Sequence, residues 1–270
     1  MAFPKIHFGV YKIPAGETAK AVENALEVGY RGVDSARAYQ NEREAVAGIY
    51  QFLEKHPEVK RSDVFYTTKV ASADYGYEKA KTAIQESLER AANIGYIDLF
   101  LIHSSHGGPS VRSETWRALE EAKKSGHVKH IGVSNWGVKH LEQLALANQE
   151  TPFANQIELN PWLQHGDIVD YCKKHNIIVE AWSPLTRGLR LDDPELAALS
   201  KKYGKSPAQI LICWAYQYGT IPIPKTTSRE RQIENLQALD FELSPEDFAN
   251  LGSKEDYYVT SPAWDPTVLE

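Results

Sequence analysis

Eight short β-branched runs alternate with longer helical patterns over 270 residues, and this predicts an α/β fold, a parallel eight-stranded (β/α)8 TIM barrel. Two further observations agree. No Pro/Gly/Ser-rich linker or low-complexity stretch divides the chain, so residues 1–270 read as one barrel domain. No Gly-x-Gly-x-x-Gly turn follows an early strand, as an open dinucleotide-binding sheet would require.

The runs are Ile6–Tyr11, Gly32–Ser35, Val64–Val70, Ile97–His103, Ile131–Ser134, Ala154–Leu159, Ile177–Ser183 and Ile221–Lys225. The first helical segment takes Thr18 as its N-cap, places Ala21, Val22, Ala25, Leu26 and Val28 at helical spacing, and stops at Gly29. Ser206-Pro207-Ala208-Gln209 supplies a cap, a proline where no N–H is needed, and a capping-box glutamine. Ser244-Pro245-Glu246 repeats the cap and the proline. Trp116 and Trp214 recur with apolar residues at helical spacing and read as core.

With 42% hydrophobic and 24% charged residues the composition is that of an ordinary globular protein. Apolar runs such as Ile97–Ile102, with Asp98 inside it, are too short to span a bilayer. The opening Met1-Ala2-Phe3-Pro4-Lys5-Ile6-His7 lacks the basic and apolar regions of a secretory leader. Cys172 and Cys213, both in helical segments, read as reduced core residues, so a cytoplasmic location is expected. A net charge of -6 and a pI near 5.9 argue against a nucleic-acid partner. A monomer with a small-molecule partner and no membrane partner is expected.

In such a barrel the chemistry sits at the C-terminal ends of the strands. Asp34 closes the second run, Tyr39 follows in the next loop, Lys69 lies at the end of the third run and His103 at the end of the fourth. Singly, each has an ordinary explanation: a turn, a packing ring, a solvated amine, a core histidine. Their succession on neighbouring strands points to a shared task. A phenol, with its usual pKa of about 10, is a poor acid near neutrality. A nearby ammonium favours the phenolate, and a carboxylate would hold that ammonium in place. A neutral imidazole could orient a carbonyl beside the phenol. Together they would form a proton donor for an oxygen that becomes an alkoxide as hydride reaches carbon.

Gly29-Tyr30-Arg31-Gly32-Val33-Asp34-Ser35-Ala36-Arg37-Ala38-Tyr39-Gln40-Asn41-Glu42 resembles the first signature of the aldo-keto reductases. Ile131-Gly132-Val133-Ser134-Asn135, Asn155-Gln156-Ile157-Glu158 and Ala181-Trp182-Ser183-Pro184-Leu185 are similar to the middle motifs. Ile223-Pro224-Lys225-Thr226, followed by Arg231 and Glu234-Asn235, resembles the last signature. The motifs occur in family order over nearly the whole chain.

The resemblance implies reduction of an aldehyde or ketone by NADPH, with no metal. It makes Tyr39 the general acid, Lys69 and Asp34 its tuning pair, and His103 the group that orients the carbonyl. It gives Ser134, Asn135 and Gln156 to the nicotinamide carboxamide and Trp182, where the family normally has tyrosine, to stacking on the ring. Ser183 and Leu185 would line the pyrophosphate, and Ser35 joins the cofactor contacts. Lys225, Thr226 and Arg231 would hold the 2′-phosphate, with Asn235 at the adenine and Glu234 nearby.

The chain also departs from the family pattern. Ser104-Ser105 follows His103 where many members carry Trp-Pro, and Tyr11 stands where a pocket tryptophan is common. Tyr11, Ser104 and Trp136 are therefore expected in the substrate pocket, with one wall open to bulky ketones unless Trp136 or Trp264 closes it. The N-terminal hairpin that commonly plugs the barrel floor is expected to be shortened or absent. The tail after Lys254, with Tyr257, Tyr258 and Trp264, either folds over the substrate or packs on the barrel.

Two rival functions differ in kind. A metal-dependent barrel hydrolase could use His103 and His106, but His127 and His130 flank the fifth strand at its start, the wrong face. A non-catalytic, cofactor-sensing regulatory subunit of the same fold is the alternative within the family. The intact set of four catalytic residue types favours turnover.

Overall fold

Eight parallel strands form one sheet in which each strand pairs with its neighbours in sequence, β1 through β8. The computed structural model describes residues 3–261 and 264–270. Met1 and Ala2, which begin the stretch read above for a leader, lie outside the described residues. The strands are β1 (His7–Gly9), β2 (Gly32–Asp34), β3 (Phe65–Val70), β4 (Ile97–Ile102), β5 (Val128–Ser134), β6 (Ala154–Glu158), β7 (Ile178–Trp182) and β8 (Ile221–Ile223). Gly9 N donates to Pro224 O at 3.0 Å across the seam between β8 and β1. The sheet thus curls into the expected (β/α)8 barrel.

The helices alternate with the strands: α1 (Ala15–Glu27), α2 (Glu42–Lys55), α3 (Tyr77–Arg90), α4 (Gly108–Lys124), α5 (Val138–Leu146), α6 (Gly166–Lys174), α7 (Pro194–Tyr203), α8 (Pro207–Gln217), α9 (Arg229–Leu236) and α10 (Pro245–Gly252). Ser206 caps α8 in a capping box with Gln209, and Ser244 caps α10, both with proline just inside the helix. Thr18 is a correction. Pro14 occupies the N-cap of α1, and Thr18 sits within the helix, its hydroxyl donating to Pro14 O at 2.9 Å. Gly29 follows the helix at φ +116°, a conformation that a side chain would strain. Trp116 and Trp214 are fully buried.

Strand ends differ from the sequence-based runs for local reasons. Lys12, at φ 60°, turns the chain soon after β1, and Pro224 cannot donate to a ladder beyond β8. β5 starts three residues before the expected run, because Val128 pairs with Ile97.

Alternate residues on each strand face the barrel axis. In the lower layer these are apolar: Phe65, Leu99, Leu101 and Ala154 form a cluster separate from the helix-facing core, with Phe3, Phe153 and Ile178 packed on it. Phe3 lies 4.8 Å from Phe65 and 5.6 Å from Phe153, closing the floor. Among the described residues no hairpin precedes β1, as expected. Among the described residues no helix is long and apolar enough to cross a membrane. Above the aromatic floor the inward positions turn polar, and the candidate site is built there.

Candidate active site

Lys69 is 0% exposed, inside the barrel near the end of β3. A buried ammonium has three protons to satisfy. It donates to both Asp34 carboxylate oxygens at 2.8 Å, to Ser35 O at 2.8 Å and to the Tyr39 hydroxyl at 3.3 Å. Asp34 ends the neighbouring β2, so the sheet itself sets this pair. A single 3₁₀ turn, Arg37–Tyr39, brings the phenol back over the strand ends, and Gln40 closes that turn at φ 57°. Asn41 fixes the loop by donating to Val10 O and Ile13 O at 3.0 and 3.1 Å. The Tyr39 ring lies 4.9 Å from Tyr11 and 5.5 Å from His103, between centroids. The four residues expected to share a task do converge.

Their electrostatics refine the expectation. Burial pushes the Tyr39 phenol above its usual range, and Lys69 offsets only part of that effect. A net lowering was expected. The difference arises because sequence shows the ammonium but not the desolvation that opposes it. Burial also opposes the charge on Lys69, but Asp34 and Tyr39 outweigh it and raise its pKa. Burial, reinforced by Lys69, pulls His103 down to about 3, so its imidazole is neutral at neutral pH.

The residues expected around a nicotinamide meet at the adjoining strand ends. Ser134 Oγ donates to Gln156 O at 2.8 Å. Asn135 Nδ2 donates to His103 O and Ser134 Oγ, each at 3.0 Å, and Asn135 Oδ1 accepts from Trp182 Nε1 at 2.8 Å. Gln156 Nε2 donates to Asp34 Oδ2 and Glu180 Oε2, both at 2.8 Å. Trp182 ends β7, and the loop after it carries Ser183, Thr186 and Arg187 at positive φ, with Leu185 partly buried among them. Lys225, in the loop after β8, and Arg231, in the first turn of α9, are exposed, whereas Thr226 and Asn235 are buried. Glu234 is held by Ser206 Oγ. Ser35 is buried just past β2: its carbonyl accepts from Lys69 Nζ at 2.8 Å and its hydroxyl lies 3.5 Å from Asn41 Oδ1.

The expected pocket residues part company. Tyr11 stands at the mouth, 44% exposed. Ser104 is 0% exposed: its Oγ meets Ser72 Oγ and Tyr75 OH at 3.0 Å and His106 Nδ1 at 2.8 Å. Trp136 is 1% exposed, in the core. Both side chains are buried, Ser104 among the loops after β3 and β4 and Trp136 in the helix-facing core. From the tail, Trp264 stacks on His106, three residues after His103, with ring centroids 5.1 Å apart. Trp264 shares a small crevice with Asn135, Glu158 and Trp182. Ser105 Oγ donates to Pro266 O, Arg112 to Glu270 O at 3.2 Å, and His140 Nε2 lies 2.7 Å from Leu269 O, so the tail is tied down over this side of the barrel.

Sequence reasoning passed over three residues here. Tyr75 accepts from Ser104 N at 2.7 Å and fixes the loop that carries His103. His7 and Glu180 lie buried under Asp34, each hidden in an otherwise apolar run. Inward spacing on a barrel strand, counted from the strand-end residues, would have marked both.

The depressed histidines have a measurable consequence. Burial brings both His7 and His103 to about 3, against 6.5 for an ordinary histidine. Below pH 6.5 the unfolded chain therefore takes up protons that the folded chain refuses, so this contribution removes stability as pH falls toward 3. Proton–nitrogen NMR spectra should show the His103 ring resonances unmoved from pH 8 to pH 5 while exposed histidines titrate. An inflection near 6.5 for His103 would contradict a neutral, desolvated ring.

Comparison with known proteins gives the family. The model of the aldo/keto reductase family matches residues 5–256. An uncharacterized oxidoreductase of Saccharomyces cerevisiae is 41% identical over 98% of this chain and 94% of its own length. The glyoxal reductase of Bacillus subtilis is 42% identical over 90% of this chain and 86% of its own. The Bombyx mori aldo-keto reductase crystallised with NADP superposes with a TM-score of 0.88 at 32% identity, covering 96% of this chain and 91% of that one. The chain is an oxidoreductase that belongs to the aldo/keto reductase family.

Proposed function

We propose that this protein is an NADPH-dependent reductase of small aldehydes and ketones, working in the cytoplasm. The observation that carries this is the Lys69 ammonium, which joins the Asp34 carboxylate at 2.8 Å to the Tyr39 hydroxyl at 3.3 Å beside a neutral His103. The free, buried Cys172 and Cys213 support a reducing compartment.

The residues present fit the cofactor. Trp182 offers a partly exposed ring whose orientation is fixed by its bond to Asn135. The left-handed residues Ser183, Thr186 and Arg187 form the kind of loop in which backbone N–H groups cradle an anion. The side-chain amide donors of Asn135 and Gln156 are committed to protein acceptors and Asn135 Oδ1 already accepts from Trp182, which leaves Gln156 Oε1 and the second lone pair of Asn135 Oδ1 to receive the carboxamide N–H groups, with Ser134 beside them. Lys225 and Arg231 are exposed and enter no ion pair among the described residues, so both are free to meet a 2′-phosphate, with Thr226 beside them. Leu185 and Asn235 would contact the pyrophosphate and the adenine.

When bound, NADPH supplies the hydride that reaches the carbonyl carbon. Tyr39 gives its proton to the carbonyl oxygen, and its elevated pKa keeps that proton in place until the oxygen becomes basic. Lys69 then faces the developing phenolate, and Asp34 holds Lys69 still. The neutral His103 ring orients the carbonyl by donating an N–H, a role that an imidazole depressed to about 3 keeps throughout the physiological range. Trp264 against His106 narrows the cup, which supports small aldehydes or dicarbonyls over bulky ketones.

Tyr39→Phe keeps the ring and removes the proton. Its kcat with NADPH and an aldehyde such as glyoxal should fall at least about a hundredfold, the scale of general acid catalysis. NADPH binding, followed by quenching of tryptophan fluorescence, should be retained. A wild-type rate at neutral pH would remove Tyr39 from the mechanism.

Cofactor choice is tested by Arg231→Ala. NADPH affinity should weaken by about 1.5–3 kcal/mol, the range for a charged hydrogen bond, with NADH nearly unchanged. Equal losses for both cofactors would mean that Arg231 supports the fold instead of a phosphate.

A further inference from the structure

Beneath the Asp34–Lys69 couple lies a second titratable pair that the chemistry above does not use. Glu180 on β7 and His7 on β1 are both 0% exposed, and His7 Nδ1 lies 3.4 Å from Glu180 Oε1. His7 has room there because β2 presents Gly32: a Cβ at that position would come within 2.1 Å of the imidazole. The other Glu180 oxygen accepts from Gln156 Nε2 at 2.8 Å, and the same nitrogen donates to Asp34 at 2.8 Å. Two carboxyl groups therefore share one amide, with one ammonium between them and the phenol.

Such a pair does little as structural glue. Both His7 nitrogens, Thr67 Oγ1 and Glu180 Oε1 have no hydrogen-bond partner among the described residues, whereas a buried polar network kept for stability is normally satisfied. Its charge state, on the other hand, bears directly on the couple above. The titratable groups facing Glu180 are Asp34 from β2, Lys69 from β3 and His7 from β1. β6 presents the uncharged Gln156, and the register partner on β8 is Ile221.

We propose that Glu180 is a positioning residue for the proton donor: with His7 it keeps one proton below the Asp34–Lys69 couple, and losing that proton holds Tyr39 protonated to higher pH. Two adjacent carboxylates do not ionise together readily, so while Asp34 neutralises Lys69 the proton stays on the Glu180–His7 pair. Burial, with Asp34 close by, pushes Glu180 up to about 7, while burial pulls His7 down to about 3, so the proton rests on the carboxyl. As pH rises through neutrality Glu180 becomes negative. That charge stabilises Lys69 as the ammonium and disfavours a third negative charge on Tyr39, which keeps the phenol protonated further into the alkaline range.

This assignment rests on Tyr39 being the proton donor, and its test separates the two. Ionisation of Tyr39 is read without turnover by ultraviolet difference titration, each protein being compared with its Tyr39→Phe counterpart. In Glu180→Gln the phenol should ionise at lower pH than in the wild type, by at least about half a pH unit. The alkaline limb of kcat for aldehyde reduction should move with it, while NADPH affinity and KM stay unchanged. His7→Leu should shift both in the same direction, and the double variant no further than either single one, because both act through one proton. Infrared difference spectra should show a protonated carboxyl near neutrality in the wild type that is missing from Glu180→Gln. Superposable Tyr39 titrations in wild type and both variants would overturn the proposal, as would the absence of that carboxyl band. A shifted phenol in a protein that reduces no carbonyl would instead sustain this coupling and overturn the reductase reading.

Discussion

Everything at the strand ends depends on keeping one ammonium charged inside a barrel. A buried cation without partners loses several kcal/mol of hydration, so Lys69 is stable only with a carboxylate and further oxygens around it. The end of β2 supplies the Asp34 carboxylate, the next residue supplies Ser35 O, and the 3₁₀ turn that follows supplies Tyr39 OH. Burial, reinforced by the same charge, depresses His103 just past β4 and His7 on β1. Asp34 in turn orients Gln156, and through it the loop-facing ends of β5 and β6. One ion pair therefore acts on two imidazoles and one amide around it, and the parallel register between β2 and β3 sets the ion pair.

The barrel around it is layered by polarity. Phe3, Phe65, Phe153 and their apolar neighbours close the floor, so water has no wide path from below. The middle layer holds His7, Thr67, Gln156 and Glu180, a titratable stratum without solvent exposure. The top layer carries Tyr39, His103 and Trp182, each only partly covered. The tail, tied by Ser105, Arg112 and His140, brings Trp264 over one side. Low dielectric below and a tethered cover above both strengthen the interaction between Lys69 and a phenol that is losing its proton.

Much of this was legible in the sequence, for identifiable reasons. Parallel strands covered by helices are apolar on both faces, so all eight stand out as β-branched runs. Ser206 and Ser244 were readable as caps because proline follows each directly, whereas Thr18 misled because Pro14 starts the helix four residues earlier. Asp34, Lys69 and His103 were found because they interrupt strand ends. What sequence could not supply was depth. Nothing in it marks Ser35, Ser104 and Trp136 as fully buried, or shows that desolvation of Tyr39 exceeds the pull of Lys69. His7 and Glu180 escaped because a polar residue in an apolar run becomes conspicuous only when opposite strands are superposed. Trp264 was marked as a candidate wall, but only the fold brings a residue so distant in sequence against His106.

The dependence on the buried pair is tested most directly by removing both of its charges at once. In Asp34→Asn combined with Lys69→Met no buried charge is left unpaired, and such replacements are often neutral for stability. The decisive quantity is the rate of hydride transfer from NADPH to an aldehyde, measured in single turnovers on the folded double variant. A rate at least about a hundredfold below wild type is expected, with the cofactor still bound. A double variant that transfers hydride at the wild-type rate would show that the phenol needs neither the ammonium nor the carboxylate, and would contradict the account at its centre.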